Sequence, residues 1–425
     1  MQGNRRKFLS AAGGAAAGLV AGSLALPGVA FAQPAPLKIG FSMALTGGLA
    51  AMGKASLLSM QIWAEELNAK GGLLGRKVEL VYYDDQTNGA TVPGIYSKLL
   101  DVDKVDLVVS GYGTGLVAPA VPLIMQRGMA FMTLFGLDVN SRFNYDRYFA
   151  IMPAGPTPAL GWTVGYFDAL ETMNPRPKTI AMVGADAEYP HAALEAAHQH
   201  AKRLGLKIVY DKTYPPATVD FSPVLRAIQA TNPDAVFVAS YPPDSVGMIR
   251  AAHETGLKTR LFGGGMVGTQ YNSVRGQLGP MLNGVVSLET YAPEQAGKFP
   301  GVEKFLEKYQ ARADKEGVDP LGNYLPPFAY AMMQVLEQAV KQVGSLDQAK
   351  IAETMHKSSF DTVVGKVAFG KNGEWTQHRL MYVQYGNITS NAVDEWRKPG
   401  KMTVLSPKDY VTGKLREPFL EAGKK

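Results

Sequence analysis

Short apolar runs alternate with longer amphipathic ones along most of the chain. "LKIGFSM" (37–43), "KVELVYYDD" (77–85), "KVDLVVS" (104–110) and "MAFMTLF" (129–135) predict strands. Between them, "LAAMGKASLLSMQIWAEELNAK" (49–70) carries apolar residues at helical spacing and stops at Gly71-Gly72, a helix-ending signal. "ATVPGIYSKLLDVD" (90–103) and "GLVAPAVPLIMQR" (115–127) also read as helices. This order predicts an α/β fold with a parallel sheet covered by helices on both faces. A second set follows, with strands at 178–186, 206–214, 234–240 and 259–264 and helices near 189–204, 221–231 and 243–255. The two sets are joined by "FAIMPAGPTP" (149–158), rich in proline and glycine. Two long helices are predicted at 299–317 and 324–344, then a hairpin-like pair, "GKVAFGKNGEW" (365–375) with "RLMYVQYG" (379–386). The last 35 residues are charged and prolyl and are expected to wrap the surface.

The N-terminal stretch departs from this pattern. Arg5-Arg6 precede Lys7-Phe8-Leu9, an Ala/Gly/Leu/Val run follows, and Ala30-Phe31-Ala32 is a small-x-small cleavage site. This reads as a secretory signal over residues 1–32, and the paired arginines match a twin-arginine address, the alternative being an ordinary secretory signal. A periplasmic protein is therefore expected. No later run reaches the roughly 18 consecutive apolar residues of a membrane span, so no membrane insertion is expected once the signal is cleaved. The chain has no cysteine, which excludes disulfides, thiolate metal sites, cysteine nucleophiles and a lipidated N-terminal cysteine. About 390 residues without bridges predict about two domains with buried cores. The formal net charge is +6, but Arg5, Arg6 and Lys7 of the signal contribute to it and the other bases are scattered. Nucleic acid is not an expected partner.

The glycine-rich stretch "SGYGTGLVAPAVP" (110–122) is the first candidate for chemistry. A dinucleotide fingerprint needs G-x-G-x-x-G on the first strand-to-helix turn. Here the spacing is G-x-G-x-G on the third strand of its set. What such a turn does provide is exposed backbone N–H groups beside a helix start, which suit a small anion.

"NAKGGLLGRKVELVYYDDQTN" (68–88), the opening "KIGFSMALTGGLAAMG" and "VFVASYPPDSVGMIRAAHETGLKTRLFGG" resemble the branched-chain amino-acid-type substrate-binding proteins of ABC transporters. The likeness runs from about residue 37 to 390 in order and spacing. It implies two Rossmann-like doubly wound lobes of the type I periplasmic binding protein fold, joined by three crossovers, with a ligand in the cleft. It also implies lobe one from 37–154 plus 288–362 and lobe two from 155–287 plus 363–425. The implied partners are a small-molecule carboxylate and a membrane permease. No cofactor and no catalysis are implied.

The resemblance also assigns candidate ligand contacts. Thr114 matches the hydroxyl residue that holds a ligand carboxylate, with Gly113 and Gly115 beside it and Tyr112 as a wall; a plain turn capped by threonine is the simpler alternative. Phe135, Gly136 and Leu137 fall where amino-acid binders supply a carbonyl and a hydroxyl to the ammonium, and the hydroxyl is missing. Tyr189 and Tyr241 match cleft aromatics, or are ordinary strand-end tyrosines. Gly265 occupies the place of the acid that pairs the ammonium. An unpaired buried ammonium is costly, so a hydrophobic or aromatic carboxylate is expected rather than a free α-amino acid. The three glycines at 263–265 are expected to make room for it, within apolar walls from Met52, Tyr112, Phe135, Leu137 and Met266.

Enzyme chemistry finds little support. His191 and His198 lie seven apart on one predicted helix face, without the acid-plus-histidine spacing of a zinc enzyme, and read as surface. No G-x-S-x-G elbow and no phosphate-binding P-loop is present. Asp84-Asp85 suggest either a divalent ion or, more in keeping with their place, loop capping. A secreted α/β oxidoreductase and a sensor that binds an amide or amino acid are the alternatives from other classes.

Overall fold

The computed structural model describes residues 34–422; the expected signal at 1–32 lies outside the described residues. Every strand predicted between residues 37 and 264 is present. β1 (Leu37–Met43), β2 (Val78–Asp84), β3 (Leu107–Tyr112), β4 (Phe131–Leu134) and β5 (Tyr148–Ala150) form one sheet in the order β2-β1-β3-β4-β5. All its pairings are parallel. β6 (Thr179–Ala185), β7 (Lys207–Tyr214), β8 (Ala235–Ser240), β9 (Leu261–Met266) and β10 (Val286–Glu289) repeat that order as β7-β6-β8-β9-β10. Such strands are buried on both faces, which is why β3, β8 and β9 read as unbroken small or apolar runs.

The hairpin-like pair expected near the end does not form. β11 (Ser359–Thr362) and β12 (Gly365–Ala368) pair with each other. β13 (Met381–Tyr385) instead joins the second sheet between β10 and β14 (Met402–Ser406), antiparallel to both. The reason is burial: all five residues of β13 are covered, and a covered strand needs a hydrogen-bonding partner on each edge. The boundary expected at residue 362 falls between β11 and β12. The tail after β14 is tied down rather than loosely wrapped. Phe419 is fully buried against Phe262, its N–H donates to the Thr259 carbonyl (3.2 Å), and Glu417 pairs with Arg260 at 2.6 Å.

The chain passes between the sheets near residues 151–157, 290–299 and 371–380. After the second passage, helices Pro300–Glu316 and Pro326–Val343 return to helix Ala50–Ala69 of the first sheet. Lys308 pairs with Glu66 (2.5 Å), Arg312 with Glu65 (2.7 Å), and the Trp63 indole donates to Glu337 (2.9 Å). The first and third passages run side by side: Ala154 bridges His378, and the Arg379 N–H donates to the Pro153 carbonyl at 2.9 Å.

The paired acids after β2 brace a loop. Asp84 accepts hydrogen bonds from the N–H groups of Leu45, Thr46 and Gln86 and from the Thr46 hydroxyl. Asp85 is fully buried; one carboxyl oxygen accepts from Thr87 N–H (2.9 Å) and the other has no partner among the described residues. Burial pushes the Asp85 carboxyl up to about 6. A folded-state value above the unfolded one means the native state holds the extra proton, so stability falls as pH rises from about 4 through about 6. Thermal melts across that range are expected to show this loss in the native protein and a smaller one in Asp85→Asn. Parallel pH profiles would refute the assignment.

Candidate ligand-binding site

In sheets of this order, crevices open at the carboxyl ends of the strands where the order reverses. The register Tyr112↔Leu134 sets the ends of β3 and β4 side by side, so the loops they open into meet. Gly113 has φ +107°, a backbone conformation natural to glycine, and it turns the chain directly into the helical segment starting at Thr114. The first N–H groups of that segment, on Thr114 and Gly115, have no carbonyl one turn earlier to bind. The Thr114 hydroxyl oxygen accepts the Leu137 N–H at 3.1 Å, tying the two loops together, and its own proton remains to donate. Phe135 has φ +52°, a costly conformation for an aromatic residue. It sets the ring edge-to-face on Trp162, Tyr324 and Phe328, with centroids 5.1–5.9 Å apart.

These residues enclose a small cavity of about 20 Å³ between the sheets. Tyr112, Gly113, Thr114, Phe135 and Leu137 line it from one side, Tyr189 and Tyr241 from the other. Met152, Trp162, Val267 and Tyr324 complete it, and the sequence reading missed all four. Met152 lies on the first passage and Trp162 just after it, and the proline-glycine composition there was the available signal. Val267 is one residue beyond the expected Met266. Tyr324 arrives on the returning segment, and nothing local marks it.

The remaining candidates are elsewhere. Met52 and Met266 are buried but do not line the cavity. Gly136 packs on Val117, and its carbonyl accepts the Tyr148 hydroxyl at 3.4 Å. Gly115 faces a neighbouring chamber. The three glycines of β9 do not make room for a ligand. A Cβ at Gly263 would sit 1.8 Å from the Val286 carbonyl oxygen, at Gly264 2.5 Å from the Phe237 ring, and at Gly265 2.8 Å from the Tyr189 hydroxyl. Their space is filled by a neighbouring strand and two aromatic rings. The Tyr189 hydroxyl donates to the Gly265 carbonyl (2.8 Å) and accepts the Trp162 indole N–H (3.0 Å), which locks Tyr189 across the place where a side chain would project.

The cavity carries no charged side chain. Burial keeps its four phenols protonated, with Tyr112 pushed up to about 12 and Tyr189, Tyr241 and Tyr324 also raised. The Tyr324 phenol faces Tyr112, yet its oxygen completes no hydrogen bond among the described residues. The Thr114 proton, the turn N–H groups and the hydroxyls of Tyr112, Tyr241 and Tyr324 are the groups that can meet polar ligand atoms. The exposed histidines make pairs of their own, His191 with Asp186 and His198 with Asp211, both at 2.9 Å. No metal-holding cluster occurs among the described residues.

Two sheets of one strand order, joined by three passages over a cleft, define an architecture that the comparisons place. The family model of the periplasmic binding proteins matches residues 36–390. The chain belongs to this family. Among the relatives of this periplasmic binding protein is the Leu/Ile/Val-binding protein homolog 7 of Brucella abortus (strain 2308), 25% identical over 401 residues, covering 90% of this chain and 94% of that protein. A leucine binding protein from Thermotoga maritima shares the fold with a TM-score of 0.71 at 21% identity, covering 88% of this chain and 99% of the other. An ABC-transporter solute binding protein from R. palustris, solved in complex with benzoate, has a TM-score of 0.71 at 17% identity, covering 87% and 95%. The family and the relatives are binding proteins, not enzymes, and this sets the oxidoreductase alternative aside. No helix among the described residues is long and apolar enough to cross a membrane.

Proposed function

We propose that this periplasmic binding protein captures a small carboxylate with a hydrophobic or aromatic body, closes on it by hinge motion, and presents it to a membrane permease. One observation carries the reading of the ligand. The cavity between the sheets is lined by aromatic and apolar side chains without an acid, and the Tyr189 hydroxyl occupies the space a carboxylate at position 265 would need. An ammonium buried there would stay unpaired, at a cost of several kcal/mol. A carboxylate, by contrast, meets the Thr114 hydroxyl and the Thr114 N–H. The benzoate found in the R. palustris neighbour supports the same class.

At about 20 Å³ the cavity holds a water and no larger ligand. Capture therefore requires the two lobes to part first, and the adjacent chain passages at Ala154 and His378 are the place for that hinge. The partition of the chain into lobes that move as bodies is part of this proposal. So is export through the twin-arginine route, which an Arg5→Lys, Arg6→Lys variant retained in the cytoplasm would support and a normally exported one would refute.

Isothermal titration with benzoate and with leucine tests the ligand class. Benzoate is expected to bind, and to raise thermal stability by about 2.7 kcal/mol at a hundredfold excess over its Kd. Tight binding of leucine with none of benzoate would sink the proposal.

A further inference from the structure

The cleft opens outward on two sides, and the two mouths differ in chemistry. One, of about 290 Å³, is charged: Asp138, Arg142, Glu188, His191 and Glu195 line it, and Arg142 spans the lobes to Glu188 at 2.8 Å. The other, of about 440 Å³, is walled by Leu49 and Leu116 from one lobe and by Ala187, Pro216, Tyr241 and Pro243 from the other. A solvent-filled mouth has no need of such a surface, and contiguous apolar walls of this kind mark binding grooves.

The apolar chamber adjoins the inner cavity. Tyr241 lines both, and the single turn Gly113-Thr114-Gly115 faces the inner cavity with its first two residues and the chamber with its third. The chamber's remaining polar side chains are already engaged. The Thr87 hydroxyl donates to the Thr46 carbonyl (2.8 Å), Glu188 is held by Arg142, and Asp244 accepts the Tyr214 hydroxyl at 3.3 Å. None of them calls for a hydrogen bond from a ligand. The chamber's volume is that of a small-molecule pocket, which the inner cavity's is not.

We propose that the ligand is an elongated carboxylate whose acid end rests on the Thr114 turn and whose apolar tail passes Tyr241 into this chamber. This rests on the carboxylate reading above and adds the second half of the ligand to it. Chain length past the ring then becomes the determinant of affinity, set by walls from both lobes, so that a longer tail also favours the closed form.

The test is a series of 4-alkylbenzoates, from benzoate itself to 4-butylbenzoate, titrated into the full protein and into two variants. Gly48 lines the chamber, lies outside the inner cavity, and a Cβ there meets nothing within 4 Å, so Gly48→Leu adds apolar bulk at the chamber wall with no clash at its Cβ. Ala187→Leu fills it from the opposite lobe, so the result does not hang on one variant folding. In the native protein each added methylene is expected to tighten binding about fourfold, the equivalent of ~0.8 kcal/mol per buried CH₂. In the variants that gain is expected to vanish while benzoate binds as before. Benzoate binding with no gain along the series, or a gain that survives both substitutions, overturns the chamber and leaves the carboxylate reading standing. Failure of the entire series to bind overturns both.

Discussion

Arg275→Met is expected to destabilise the protein by about 3–5 kcal/mol, read as a large drop in the urea midpoint. Arg275 and Glu289 are both wholly buried and meet at 2.5 Å. The Tyr385 hydroxyl donates to the same carboxyl oxygen at 2.6 Å, the Arg275 Nε donates to the Thr269 carbonyl at 2.8 Å, and the guanidinium lies 4.2 Å over the Trp396 ring. Burial pushes the Glu289 carboxyl up to about 7 even with the guanidinium beside it. Without Arg275 that carboxyl is left without its counter-charge in the interior. Removing both charges, as in Arg275→Met with Glu289→Leu, is expected to cost less than the single change, because no orphaned charge remains. Equal or greater loss in the double variant would show that packing, not charge, dominates. The cluster stands where β10 leaves the second sheet for the second passage, so it also fixes the exit direction of the chain.

Thr114→Val is expected to weaken binding of an aromatic carboxylate about 10- to 100-fold. A hydrogen bond to a charged group contributes about 1.5–3 kcal/mol, and valine keeps the volume while losing the donor. It also removes the acceptor that holds the Leu137 N–H. Thr114→Ser supplies both roles and is expected to bind within a few-fold of the native protein. Titration calorimetry with benzoate measures the difference. A valine variant that binds as tightly as the native protein would remove the hydroxyl from the site.

Much of this site was legible in the sequence because it lies at strand ends. Tyr112, Gly113 and Thr114 follow a recognisable buried strand, Phe135 and Leu137 follow the next, and Tyr189 and Tyr241 begin helices after strands of the second set. A position relative to a strand end is a local property, carried by apolar runs and the glycines that stop them. Gly265 shows where local reading stops. Its lack of a side chain is visible in the sequence and predicts open space, and only the packing of Val286, Phe237 and Tyr189 shows the place to be filled. Trp162 and Tyr324 illustrate the same limit, since one follows the first passage and the other returns from the second sheet to the first.

By itself, the sequence determined two α/β sets, their strand positions and the glycine turn at 113, since these follow from periodicity and from conformations only some residues adopt easily. Only the tertiary structure decided the partners of β12 and β13, the closing of the glycine triplet by aromatic rings, and the meeting of Tyr241 with the Thr114 turn around an apolar chamber. Apart from the local turn between β11 and β12, those depend on contacts between residues distant in the sequence. Long-range contacts are set by which surfaces must be buried together, and no local pattern records the choice.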